Sequence, residues 1–183
     1  MSAAIKLVSE RGLERLTLND VGEAAGYSRG LPAHYFGGKS GLVVALARAL
    51  IADFGDRLTR LSKDGALQDH LTRAIRLYFQ SAAREPVATR ALFVLLGEGL
   101  NNALISADIA ELNAATVRQL EDVITAGIRR GEVRPDVNAK AQAQLMLSSL
   151  RGAVGMWLLS PRQISLARIA DEMIETTRRA LAP

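Results

Sequence analysis

An all-α fold follows from three features of the sequence. Apolar residues recur at steps of three and four through most of the 183 residues, the pattern of helices with one buried face. Alanine, leucine and arginine, all strong helix formers, dominate a composition with only 4% aromatics. Capping residues and glycine or proline stops divide the chain into helix-length pieces, about nine of them. The length is enough for a substantial core and one or two domains. The natural division is a small three-helix unit at residues 1–45 and a larger helical body at 46–183.

Residues 3–11 place Ala4, Leu7 and Val8 on one face, with Gly12 as the stop. Thr17 is an N-cap, and Asp20, three residues on, completes a capping box. Leu18, Val21 and Ala25 give this short helix an apolar face. Gly26 ends it, since glycine takes the left-handed conformation at little steric cost. Tyr27 bridges a turn, and Ser28 caps a second short helix running to about Tyr35. Pro32 lacks an N–H and disfavours helical geometry at Leu31, so that helix either starts later than Ser28 or has a distorted first turn.

From Lys39 a longer helix runs to about Leu61 on Leu42, Val43, Leu46, Leu50, Phe54, Leu58 and Leu61. Residues 62–65 read as a loop. Leu67, Leu71, Ile75, Tyr78 and Phe79 mark the next helix, which stops before Glu85, and Pro86 suits the first turn of its successor. After the apolar run at 91–96, Gly97, Glu98 and Gly99 predict a break. Ile109, Leu112, Thr116, Leu120, Val123, Ile124 and Ile128 form a stripe that closes at Arg129, Arg130 and Gly131, basic residues followed by a glycine cap. A connector with Pro135 leads to Asn138, the cap of a long helix reaching about Leu159. Ser160 and Pro161 end it. The last helix, residues 165–181, shows Leu166, Ile169, Met173, Ile174 and Leu181.

Composition narrows the function. With no cysteine, disulfides, thiolate metal sites and cysteine nucleophiles are all excluded. Only two histidines, His34 and His70, rule out a histidine-rich metal site. The net charge of +4 and pI near 9.8 suit a partner rich in phosphate, though weakly. No signal peptide is visible, and the most apolar segment, residues 145–159, is short and interrupted by Arg151, so it does not span a membrane. These features point to a cytoplasmic protein without cofactor or metal.

The informative stretch is residues 16–42, LTLNDVGEAAGYSRGLPAHYFGGKSGL. Helix, glycine-containing turn, helix is the sequence form of a helix-turn-helix, whose first helix crosses the DNA backbone while the second presents its N-terminal half to base edges. Thr17, besides capping, sits where free N–H groups attract a phosphate. Ser28, as a cap, joins the DNA-facing set. Arg29, at the first position of the second helix, can fork onto guanine O6 and N7, clamp a phosphate or stay solvated. Gly30, Leu31 and Ala33 have no hydrogen-bonding side chains; they admit the backbone closely or touch a thymine methyl. His34 can donate to a base or a phosphate, or be a plain surface histidine. Phe36 reads as core, and Tyr27 either packs in the turn or reaches the backbone.

The same residues carry a family resemblance. E-R-G at 10–12, T-x-x-D-V-x-E-A-A-G-Y-S at 17–28 and H-Y-F-G-G-K-S-G-L at 34–42 resemble the N-terminal domain of TetR-family transcriptional regulators, over roughly the first quarter of the chain. The resemblance implies a homodimeric, ligand-responsive regulator, usually a repressor, with a DNA-binding domain at 1–45 and an effector-binding and dimerisation domain at 46–183. It implies that Tyr35 and Lys39 grip the phosphate backbone of double-stranded DNA. Family members usually have a longer first helix, often with a basic arm. They also commonly read T-L-Y where this chain has Leu31, Pro32 and Ala33.

By the same resemblance the larger domain encloses a pocket for a small-molecule effector, with Tyr78, Phe93, Glu98, Asn101, Asn102, Met146, Arg151 and Trp157 as candidate lining. The apolar members serve equally well as core. The last two long helices suit a dimer interface. There Leu147, Leu150, Val154 and Leu158 form a stripe, Gly152, Ala153 and Gly155 allow close approach, and Ile169, Met173 and Ile174 are added by the final helix. A twofold dimer would space its recognition helices about 34–36 Å apart and favour a palindromic operator. Two other readings stay open: a helical dimer whose DNA-binding motif has degenerated at Pro32, and a small all-α enzyme. For the enzyme there are no paired carboxylates, metal-ligand spacing, phosphate-binding glycine loop or nucleophile–histidine arrangement.

Overall fold

The structure, a computed structural model, describes residues 1–60 and 67–183. Among these there are nine helices and no strand: α1 (Ser2–Arg11), α2 (Leu18–Ala24), α3 (Leu31–Phe36), α4 (Lys39–Thr59), α5 (Leu67–Arg84), α6 (Pro86–Asn101), α7 (Ala103–Arg129), α8 (Ala139–Leu159) and α9 (Leu166–Leu181). The all-α expectation is borne out. The expected loop at 62–65, Leu61, and the side chains of Phe54 and Leu58 lie outside the described residues.

Most boundaries follow from local chemistry. Thr17 and Asp20 form the full capping box on α2. Asn138 accepts from the Ala141 N–H at 3.0 Å to start α8, and Ser165 accepts from the Arg168 N–H to start α9. Pro86 occupies the first turn of α6, where its missing N–H is no loss.

Two boundaries differ from the sequence expectation. Ser28 is not the cap of α3: the helix begins at Leu31, with Gly30 in the cap position and no side-chain cap bond. Pro32 sits in the first turn, where a missing N–H is no loss, and Leu31 before it is helical all the same. Residues 28–31 form a turn instead, the Leu31 N–H donating to the Ser28 carbonyl at 3.1 Å. Nor does α6 break at Gly97, Glu98 and Gly99; it continues to Asn101. Glycine in a helix interior costs about 1 kcal/mol relative to alanine. Here tertiary packing outweighs that cost: a Cβ on Gly99 would lie 3.0 Å from Ile109 of α7, so glycine lets the two helices meet. The break falls at Asn102, which is extended and donates its side-chain amide to Glu98 at 2.9 Å.

The chain divides into two compact units. Unit 1, Met1–Asp53 with Glu85–Leu112, holds the helix-turn-helix. Its core joins Ala4, Leu7 and Val8 of α1 and Leu42, Leu46 and Ala47 of α4 to Ala91 and Leu95 of α6 and Ile105 and Ile109 of α7. α1 packs along α6, and Arg48 pairs with Asp108 at 3.4 Å.

Unit 2 is Phe54–Arg84 with Asn113–Pro183. Its main seam runs between α5 and α9. Leu67, Leu71, Ile75 and Phe79 are buried on α5, and Leu166, Ala170, Ile174 and Leu181 on α9, each at helical spacing. Each large side chain removed from water contributes roughly 1.5–3 kcal/mol, and Arg76 pairs with Asp171 at 2.9 Å across the two helices.

Candidate nucleic-acid interface

α2 is fixed at both ends. At its start the Thr17 hydroxyl donates to the Asp20 carboxylate at 2.7 Å, as does the Thr17 N–H at 3.1 Å, while the Asp20 N–H donates back to the hydroxyl oxygen. These bonds hold the Asp20 carboxyl below its ordinary value, the hydroxyl contributing most. At its end Gly26 takes φ +74°. Its N–H donates to Glu23 O at 3.1 Å and that of Tyr27 to Gly22 O at 2.9 Å, the paired bonds of a Schellman motif.

The turn then folds back onto α2. A Cβ on Gly22 would sit 2.8 Å from the Ser28 carbonyl oxygen and 3.2 Å from both Arg29 Cα and Pro32 Cδ. Only glycine permits this approach. Pro32 is buried against it, so the residue that departs from the family pattern serves to seat α3 on α2. Phe36, one turn on, packs against the core of unit 1.

Thr17, Ser28, Arg29, Gly30, Leu31, Ala33, His34, Tyr35 and Lys39 are all exposed. Arg29 lies in the turn rather than on α3, because the helix starts at Leu31; its guanidinium is 3.5 Å from the Glu23 carboxylate. Tyr35, 78% exposed, rests its ring edge-on against Phe36 at 4.8 Å between centroids. Lys39 donates to the Glu14 carbonyl at 3.4 Å and keeps further donors for a phosphate. Tyr27 also points outward. The contacts that sequence reasoning missed, Glu23 to Arg29 and Glu14 to Lys39, join residues at spacings that no helical periodicity marks.

The candidate effector residues fall in both units. In unit 1, Phe93 and Glu98 are partly buried, Asn101 is exposed, and Asn102 is the helix break. In unit 2, Tyr78 of α5 and Arg151 of α8 hydrogen-bond to each other, and Arg151 also donates to Asn113 of α7 at 2.5 Å. Asn113 was not expected; it stands between apolar neighbours without a motif. Burial raises the Tyr78 hydroxyl above its ordinary value and lowers the Arg151 guanidinium, and their mutual attraction opposes both shifts. Met146 is buried and lines a groove between α8 and α9, and Trp157 is partly buried.

The expected interface stripe lies mostly inside the protomer. Leu147, Leu150, Val154 and Ile174 are buried in unit 2, while Leu158, Ile169 and Met173 are half-buried. Among the residues that α8 exposes, Leu145, Ser149, Gly152, Met156 and Leu159 recur at steps of three and four. Beside them the α8–α9 groove, about 400 Å³, is walled by Leu145, Met146, Ile169 and Met173. Among the described residues no cluster of His, Asp and Glu is placed to hold a metal ion, and no helix is long and apolar enough to cross a membrane.

A fixed crossing helix and a second helix with one face buried and the other open define a helix-turn-helix DNA-binding protein. Comparison with known proteins agrees. Residues 1–46 match the bacterial regulatory proteins of the tetR family, and residues 50–178 match the C-terminal region of YsiA-like proteins. The chain belongs to the TetR family of transcriptional regulators. Its relatives include the fatty acid metabolism regulator protein of Bacillus subtilis, 20% identical over 96% of this chain and 90% of that one. The regulator TtgR of Pseudomonas putida is 26% identical over 96% and 86%. Among solved structures, FadR from Bacillus subtilis in complex with stearoyl-CoA superposes with a TM-score of 0.84 at 16% identity, covering 98% of this chain and 96% of that one.

Proposed function

We propose that this regulator is a homodimeric repressor that holds a palindromic operator with residues 17–39 of each subunit and releases it when a small molecule binds among the helices of the larger domain. The observation that carries the DNA-binding half is the seating of α3. Pro32 and Phe36 anchor one side of it, and His34, Tyr35 and the neighbouring Arg29 and Lys39 stand exposed around the other. In this reading Arg29 and His34 reach base edges, Tyr35 and Lys39 hold phosphates, and Thr17 and Ser28 line the backbone. Thr17 acts through its position, since its hydroxyl proton is already given to Asp20.

For the effector, the Tyr78–Arg151–Asn113 cluster supports a polar recognition point in an otherwise apolar helical body, and a solved relative of the same fold holds stearoyl-CoA. The ligand can shift the DNA-binding equilibrium only by its difference in affinity for the two arrangements. The exposed α8 stripe at Leu145, Gly152, Met156 and Leu159, with Ile169 and Met173 of α9, supports a second copy as partner, in a four-helix contact. Regulation rather than catalysis, carried out in the cytoplasm, completes the reading.

The test is binding to the duplex upstream of the protein's own coding sequence against a scrambled duplex of equal length and composition. The regulator prefers the native duplex, and Arg29→Ala narrows that preference. Equal affinity for both duplexes would reject the reading.

A further inference from the structure

The outward face of α3 limits which bases it can read. With about 3.6 residues per turn, Pro32 and Phe36 share the inward side of this six-residue helix. Leu31 and His34 share the opposite side, with Ala33 and Tyr35 at its edges. Paired hydrogen bonds to guanine require an arginine or lysine, and those to adenine an asparagine or glutamine. α3 contains none of these. Arg29, the nearest candidate, precedes the helix and lies against Glu23.

What α3 does offer is apolar. Leu31 is 42% exposed and Ala33 is exposed too. A lone exposed leucine is ordinary on a protein surface. This one occupies the first position of α3, the part of a second helix that is directed at base edges. The major-groove feature that an aliphatic side chain recognises is the C5-methyl group of thymine. We infer that Leu31 and Ala33 form an apolar patch that packs on thymine methyl groups in each operator half-site, so that sequence preference depends on methyl contact as well as on hydrogen bonding. This rests on the DNA-binding reading above.

The experiment selects the preferred sequence from a randomised duplex pool with the intact protein. Each thymine is then replaced singly by deoxyuridine, which lacks only the C5-methyl. Affinity falls about fourfold, the worth of one methyl-sized group removed from water, at one or two thymines per half-site and nowhere else. In Leu31→Ala, whose altered side chain is on the surface, the penalty disappears at one of those positions. Deoxyuridine tolerated at every position, with a scrambled duplex still rejected, overturns the inference and leaves DNA binding standing. If no sequence is selected at all, the DNA-binding reading falls and this inference with it.

Discussion

Asp20 shows how much of this protein is written in single residues. Its pairing with Thr17 is local and needs no tertiary fold, so the sequence alone reveals it. The consequence is a dependence on pH. A carboxyl that is more acidic in the folded chain than in the unfolded one adds stability above its ordinary value, and that stability is lost as the pH falls through the lower folded value. Asp20→Asn therefore melts below the parent at pH 7, and the gap closes below about pH 4; a gap that stayed constant in melts from pH 7 to pH 3 would contradict the cap. Arg29 is the opposite case. Spacing from Ser28 placed it on the recognition helix, but residues 28–31 form a turn and the helix starts past it, at Leu31. Its contact with Glu23 depends on how the turn folds back, which periodicity does not encode.

Between elements, glycines mislead when they are read only as breakers. Gly99 marks a close helix contact rather than an end, and α6 runs through it because Ile109 fills the space that a side chain would need. Gly22 is the same case within the helix-turn-helix. Alanine is the better helix former by nearly 1 kcal/mol, but its methyl would press on the backbone of Ser28 and Arg29. Gly22→Ala is expected to lower stability by about 1–3 kcal/mol, the usual cost of overpacking, and to weaken DNA binding by displacing α3. Chemical denaturation together with a duplex titration checks both; a more stable variant with unchanged DNA affinity would show that the close approach does not matter. Periodicity and caps did locate α1, α2, α5, α8 and α9 nearly to the residue, since those signals lie within each helix.

For the whole molecule, the sequence is least informative about which apolar surface faces which partner. α8 carries two. One, with Leu147, Leu150 and Val154, is buried in its own protomer, and the other, with Leu145, Met156 and Leu159, is exposed. Helical spacing identifies both stripes and cannot rank them, because the choice depends on where α5 and α9 pack. If the exposed stripe is the dimer contact, Leu145→Glu sediments at the single-chain mass of 19.7 kDa while the parent runs at twice that; a variant that stayed dimeric would place the contact elsewhere. The account as a whole depends on the face around α3 and Lys39 meeting the phosphate backbone. The direct measurement is the salt dependence of binding to the upstream duplex, for the parent and for Lys39→Ala with its melting temperature checked. Loss of the lysine should weaken native and scrambled duplexes alike and flatten the slope of log affinity against log salt by about 0.9 for each phosphate contact removed. An unchanged slope and affinity would mean that DNA, if bound, lies on some other surface.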